Sequence, residues 1–432
     1  MRRVGAIVAV AAAALAGLVG GAVAMTRIQD AGSTSDTTPV AQDAGAQEPR
    51  AQEPGAPTSG GPGTIGTRPP GERATGATGP VPEPDPAPAP AVLLAWTPQG
   101  LDPGLVATAT GDQHVSATSV VRGGTVDLVA SRRADGAVVD APDAGWAIPL
   151  DAIAVDPEAH ARFASGRDRA AVAGLRPGQA VLGDTSAEIR RLGPGDSIEL
   201  AGGPTVTVGS VVADTAIGGA ELAVDIATGE QAGLTTDRYL LLAYGGDRSA
   251  LEQRLTAALA PGRAVRFRGP GEAPFLRNGD AVLPQVLIKQ RFGEFAYRRG
   301  PGDEFEQDPA WQAASLVTVD LPIIGRARCH QAVAPALAGA LGEVVDANLA
   351  ALVDPEGFAG CWNARTTRAG SAVSRHAWGV AIDLNFGANP TGLASVQDPR
   401  LVAIFARWGF TEGSGWLVPD AGHFEFVSPP HR

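Results

Sequence analysis

Between residues 31 and 92 the chain carries 13 prolines and no Phe, Trp or Tyr, and it closes on the alternating VPEPDPAPAP. Sequence of this kind buries too little apolar surface to offset its ordering entropy. It is expected to be a disordered, polyproline-like spacer of up to roughly 3 Å per residue. The globular part of the 432 residues is therefore shorter than the chain, as 56 Gly, 35 Pro and 5% aromatic residues also imply. What remains is still long enough for two domains.

Ahead of the spacer, Arg2 and Arg3 precede an uncharged apolar run from Val4 to Met25. The run is long enough to span a bilayer as a helix, and the arginines orient the rest of the chain to the outside. Ala22-Val23-Ala24 also fits a signal-peptidase site, so residues 1–30 are either a cleaved signal peptide or a retained transmembrane anchor, with length favouring the anchor. Either alternative exports the remainder, which is then extracytoplasmic: anchored to the membrane through this helix or secreted to the cell wall. A net charge of −12 with no basic block beyond the first residues excludes a nucleic-acid partner. In an oxidising compartment the only two cysteines, Cys329 and Cys361, are most simply a disulfide. The alternative is a Cys361 nucleophile working with His376.

From 93 to 284, short β-type runs (TVDLVA, TVTVGSVVA, RYLLLAY) alternate with Gly, Pro and Asp turns, and helical stretches are expected near Ala159 to Ala173 and Ser249 to Leu259. This predicts a separate α+β domain. His114 and His160 stand alone in it, with no paired-acid or Cys cluster, so a positioning or regulatory role through an envelope partner is the expectation. The stretch LGPGDSIELAGGPTVTVGSVVAD weakly resembles the extracytoplasmic α+β domains of bacterial permeases and cell-division proteins.

Residues 285–432 hold the chemistry. Asp398-Pro399 followed by Leu401, Ile404, Phe405 and Trp408 predicts a capped amphipathic helix that stops at Gly409. A second helix begins near Pro335, with Leu337, Leu341, Val344, Val345 and Leu349 as its buried stripe. Between these helices, Gly379 to Leu384 alternates as a half-buried strand that sets Asp383 on one side with Ala381, and His376 lies just before it. Further on, Asp420 stands three residues before His423 in PDAGHFEF. A zinc hydrolase needs three protein ligands, an open position for water, and a carboxylate to take that water's proton. His376, Asp383 and His423 supply the ligands for Zn2+ and Asp420 the base.

These residues resemble the zinc D-alanyl-D-alanine carboxypeptidases of the VanY and VanX type, a family that includes L-alanyl-D-glutamate endopeptidases. Its pattern Ser-x-His-x-x-Gly-x-Ala-x-Asp is matched by Ser374, His376, Gly379, Ala381 and Asp383, and its acid-x-x-His motif by Asp420 and His423. The segments GCWNARTTR, GEFAYRRG and LPIIGRARCH match the same domain. The family acid is often Glu; Asp420 is one methylene shorter. The resemblance implies a C-terminal domain with a small antiparallel sheet and flanking helices, and Arg365 as the cation facing the tetrahedral intermediate, with Arg368 as runner-up. Ser374, Arg368 and Trp378 are assigned to substrate, Glu425 to orienting a ligand, and Trp378 and Trp416 to the cleft walls.

The overall expectation is an α+β protein comprising 1–30, 31–92, 93–284 and 285–432, acting on peptidoglycan stem peptides either as a carboxypeptidase or as an endopeptidase. A serine peptidase of the Ser-x-x-Lys type is excluded, since the only lysine, Lys289, follows Val286 by three residues. His423-Phe424-Glu425 disfavours the His-x-His zinc endopeptidases. The competing class is a non-catalytic envelope scaffold, against which the intact set of His376, Asp383, Asp420 and His423 argues.

Overall fold

The computed structural model describes residues 91–272, 279–367 and 372–428. The expected signal or anchor helix, nearly all of the spacer, and Arg368 lie outside the described residues. Among those described, no helix is long and apolar enough to cross a membrane. The fold mixes helices and strands in one large and several small sheets.

The large sheet is built from β1 (Ala91–Trp96), β2 (Val115–Arg132), β3 (Val138–Asp140), β4 (Ile148–Val155), β5 (Gln179–Gly183), β6 (Ser197–Leu200), β7 (Thr205–Val212), β8 (Leu222–Asp225), β9 (Asp237–Tyr244) and β10 (Arg266–Arg268). Its order is β10-β1-β9-β2-β4-β8-β5-β7-β6, and β6 pairs back onto β2, so six strands from β2 to β6 close into a ring. Closure is made possible by the length of β2, whose 18 residues pair in succession with β9, β4 and β6. Both faces of the strands are covered. Along β4, Ala152 and Ala154 pack with Leu128 and Leu182, while Ile153 and Val155 pack with Leu94 and Tyr239, the period-2 alternation of a strand between two cores.

The expected strands are present, but TVDLVA is only part of β2. The helical stretch near Ala159 to Ala173 is two helices, Pro157–Ala161 and Gly166–Ala173. The break spans residues 162–165, and the second helix starts at Gly166, whose left-handed φ of 49° one continuous helix cannot contain.

The C-terminal region pairs β11 (Tyr297–Arg299) with β12 (Phe305–Gln307), and β13 (Leu316–Leu321) with β14 (Gly325–His330). A third antiparallel sheet runs β15 (Ala381–Asp383), β17 (Asp420–Phe426), β16 (Phe410–Gly413). The helix Pro399–Arg407 starts as expected: Asp398 accepts the Arg400 N–H, and Leu401, Ile404 and Phe405 are buried. The helix Ala334–Asp346 buries Leu337, Leu341 and Val344, but Val345 is 45% exposed and Leu349 lies beyond the helix end. The stripe is thus narrower than the sequence suggests.

The sheet region and the C-terminal region belong to one compact unit. Where they meet, Lys289 on the helix Gln285–Phe292 donates to Glu221 at 2.8 Å and to the Pro149 carbonyl at 2.5 Å, and is ion-paired with Glu294 at 2.8 Å. Arg190 bonds the same two carboxylates at 2.6 and 2.5 Å. Lys289, Arg190 and Glu221 side chains are fully buried. Gln285 completes the group, donating to Glu221 at 2.9 Å.

His160, 2% exposed, contacts the Ser119 hydroxyl through Nδ1 at 3.2 Å. Burial lowers its pKa to about 4, against a weaker raising effect from a backbone bond to Ala216. Between pH 6.5 and 4 the unfolded chain therefore binds a proton that the folded chain refuses, so stability is complete above 6.5 and falls as pH drops. The expected loss reaches about 3 kcal/mol by pH 4. Chemical denaturation of His160→Gln across this range should show a correspondingly flatter slope than wild type.

Candidate metal centre

Three chain segments bring the donors together. His376 sits on the short 3₁₀ turn Arg375–Trp378, where Ser374 caps the start by accepting the His376 N–H at 3.3 Å. Gly379 ends the turn at φ 66°, and a Cβ there would lie 2.7 Å from the His330 backbone nitrogen, so this position requires glycine on both counts. The chain then enters β15. Its antiparallel register against β17 places Asp383 opposite His423 and Ala381 opposite Glu425, all on one face.

The result is a triangle of donor atoms. Asp383 Oδ1 lies 3.0 Å from His423 Nδ1 and 3.3 Å from His376 Nε2, and the two nitrogens are 3.3 Å apart. Tetrahedral zinc with arms near 2.0–2.1 Å separates its ligand atoms by about 3.3 Å. The remaining ring nitrogens face acceptors: His376 Nδ1 is 3.0 Å from the Cys361 carbonyl, and His423 Nε2 is 3.5 Å from Glu425 Oε1. If the neutral rings donate there, lone pairs from all three ligand atoms converge on one point with no proton between them. Such a donor set fits a cation. Among the described residues, His376, Asp383 and His423 are also the one His/Cys/Asp/Glu group whose geometry can hold a metal.

Electrostatics agree. Where the rings instead carry protons toward Asp383, burial still opposes its charge, yet the hydrogen bonds from His376 and His423 hold its carboxyl well below the usual range. Burial likewise disfavours a cationic His423, but Asp383 and Glu425 outweigh it and raise the imidazole to about 10. The site strongly attracts positive charge. Glu425 is itself kept low, against burial, by His423, Arg375 and the Val282 N–H.

Asp420 opens β17 and is half-buried. Its Oδ1 accepts the Thr391 hydroxyl at 3.0 Å, and burial raises its pKa against the nearby charge of His423. Trp416, in the loop leading to it, lies with its ring 5.3 Å from that of His423.

Residues 367–426 match the family model described as D-alanyl-D-alanine carboxypeptidase. The C-terminal segment is similar to that family. The match contains Ser374, His376, Gly379, Ala381, Asp383, Asp420 and His423. The chain is also similar to the crystal structure of the periplasmic region of MacB from Actinobacillus actinomycetemcomitans, at 10% identity and a TM-score of 0.30, over 41% of this chain and 88% of that one. No curated protein matches the chain.

Other expected residues fall in different places around this carboxypeptidase-like site. Cys329 and Cys361 form a disulfide, which removes the nucleophile alternative; Cys361 meets His376 through its carbonyl instead. Trp378 does not wall the cleft: it is fully buried, 4.8 Å from the Phe295 ring, and donates to the Gly293 carbonyl. It packs in the hydrophobic core of the C-terminal region. Ser374 caps the turn and is 4% exposed. The Arg365 carbonyl accepts the Ser374 N–H at 3.0 Å, while its guanidinium makes a long 3.4 Å bond to the Thr366 carbonyl. Thr391 was missed, since a threonine in a Gly/Pro loop carries no sequence signal of a contact 29 residues away.

Glu425→Gln keeps the shape but weakens the acceptor for His423. It should lower zinc affinity by roughly 10- to 100-fold, as measured by competition with a chromophoric chelator, and it should also lower the thermal midpoint of the metal-free protein, because the buried carboxylate pairs there with His423 and Arg375.

Proposed function

We propose that the protein is an extracytoplasmic zinc peptidase that hydrolyses peptidoglycan stem peptides. The observation that carries this reading is the convergence of His376 Nε2, Asp383 Oδ1 and His423 Nδ1 within 3.3 Å of one another, with the carboxylate of Asp420 set just ahead of His423 on the same strand. The match to the D-alanyl-D-alanine carboxypeptidase model supports the substrate class. The disulfide fits an oxidising compartment, in line with the apolar N-terminal run and the proline-rich tether that would carry the domain from membrane to wall.

Zinc, when bound, supplies a Lewis acid that polarises a peptide carbonyl and lowers the pKa of water. The residues do the rest. The Cys361 carbonyl and Glu425 hold the two imidazoles in the tautomers that present Nε2 of His376 and Nδ1 of His423 as ligands. Asp420, with Oδ1 held by Thr391, keeps its second oxygen to accept the proton of the attacking water and return it to the leaving amine. The family resemblance assigns Arg365 as the cation for the developing oxyanion; its guanidinium makes only a long 3.4 Å bond to the Thr366 carbonyl.

The test is zinc content and hydrolysis of purified muropeptides by the full-length protein, with products identified by mass. His423→Ala should lose zinc. Asp420→Ala should keep zinc and lose kcat by at least about 100-fold, and Arg365→Ala should lower kcat by a similar factor with little change in metal. A terminal D-Ala product assigns a carboxypeptidase and an internal fragment an endopeptidase. Wild-type protein that neither holds zinc nor releases any fragment would sink the reading and favour a non-catalytic scaffold.

A further inference from the structure

The loop between β16 and β17 carries Trp416 against His423 and ends at Asp420, yet it is fastened to residues outside the C-terminal region. Asp280, whose side chain is 7% exposed, accepts the Leu417 N–H on Oδ2 at 2.6 Å, while its Oδ1 is ion-paired with Arg268 of β10. Arg266, on the same strand, donates to the Gly415 carbonyl at 3.0 Å. The Leu417 side chain packs against the sheet-region core cluster that contains Leu94, Trp96 and Tyr239. Two neighbouring links reach the donor set itself. The Val282 N–H donates to Glu425 Oε2 at 3.0 Å, and Arg375, next to His376, donates to the Leu283 carbonyl at 2.7 Å.

We propose that Asp280 is a positioning residue of the metal site, and that the sheet region is a working part of the peptidase rather than a separate module. One carboxylate, held in place by Arg268, fixes the backbone of Leu417 through a short charge-assisted bond. From Leu417 to Asp420 there is no room for slack, since Pro419 stiffens the chain and its carbonyl accepts the Gly392 N–H at 2.6 Å. His423 is different: it lies inside β17 and is held by its pairing with Asp383. Loss of the Asp280 bond should therefore loosen Trp416 and Asp420 while leaving the ligands together. A misplacement of about 1 Å in a proton-transfer group is enough to cost roughly 100-fold in rate.

The inference rests on the peptidase reading for its kinetic readout only. The experiment compares full-length wild type, Asp280→Ala, Arg266→Ala and Arg299→Ala. Arg299 ties the two regions together elsewhere, through Asp127 at 2.9 Å, and does not touch the loop. Hydrogen exchange of residues 414–420, zinc content, kcat and KM are measured on each. In Asp280→Ala, exchange in 414–420 should rise at least tenfold, while 376–383 stays protected and zinc stays stoichiometric. On muropeptides kcat should fall about 10- to 100-fold at unchanged KM. Arg266→Ala should show the same pattern with a smaller effect, and it decides the matter if Asp280→Ala does not fold. Arg299→Ala should match wild type in all four. Unchanged exchange of 414–420 in Asp280→Ala and Arg266→Ala would overturn the proposal, as would an equal kcat loss in Arg299→Ala, which would mean general loosening. If wild type hydrolyses nothing, the peptidase reading fails and the exchange data alone decide this one.

Discussion

The site depends on one cross-strand pair, Asp383 opposite His423 in the β15–β17 ladder. Side chains directly opposite in an antiparallel pair approach closely, so this register alone sets a carboxylate beside an imidazole. A slip of one residue would turn both onto the Phe424 and Ile382 face, which is core. That core is therefore what protects the site's geometry: Ile382, Leu384 and Phe424 are all fully buried, and a one-residue slip would turn them into the polar site and the site's charges into the core. Ala381, opposite Glu425, leaves the space in which the glutamate reaches back toward His423. The spacing between histidine and glutamate that a sequence displays as HFE is thus a two-residue strand repeat, with both groups on one face.

The other ligand arrives by a different route, and covalent structure sustains it. The Cys329–Cys361 bridge anchors the carbonyl that takes the His376 ring proton, so the disulfide acts on the tautomer of a ligand as well as on the entropy of the unfolded chain. Gly379 then turns the chain so tightly against His330 that His376 and the start of β15 fall within reach of one another. Two histidines and an aspartate from separate segments meet because the turn and the bridge fix His376 while the strand pairing fixes Asp383 and His423.

The range of each interaction sets how much of it can be read from sequence. The capped helix at Pro399, the strand through Asp383 and the four chemistry-bearing residues His376, Asp383, Asp420 and His423 are written in local spacing, and the structure brings the three donors among them together. Trp378 was misplaced because its position beside His376 in the sequence does not say which side of a 3₁₀ turn the ring takes. The break before Gly166 was hidden because both halves of Ala159 to Ala173 have helical composition. Thr391, Asp280, Arg266 and Val282 left no trace at all. Each acts through polar contacts that reach across a long loop of chain, and neither periodicity nor composition encodes such a partner.

The same limit applies to the join between the two regions, where the chain buries its only lysine. Lys289 and Arg190 face Glu221 and Glu294, two cations against two carboxylates, with Gln285 and the Pro149 carbonyl taking up remaining hydrogen-bonding capacity. An apolar cluster of the same volume would stabilise such an interface as well or better, since desolvating four charges offsets most of their attraction. What a charged cluster adds is intolerance of error. Sliding the helix Gln285–Phe292 by one turn against the sheet region would strand a buried charge, at a cost of about 3–5 kcal/mol, whereas apolar surfaces slide with little penalty. A fixed register there matters for the chemistry, because the chain between β10 and this helix holds Asp280 and Val282, whose bonds end at Leu417 and Glu425. The charge cluster and the candidate metal site are thus joined through the short stretch of chain that carries Asp280 and Val282.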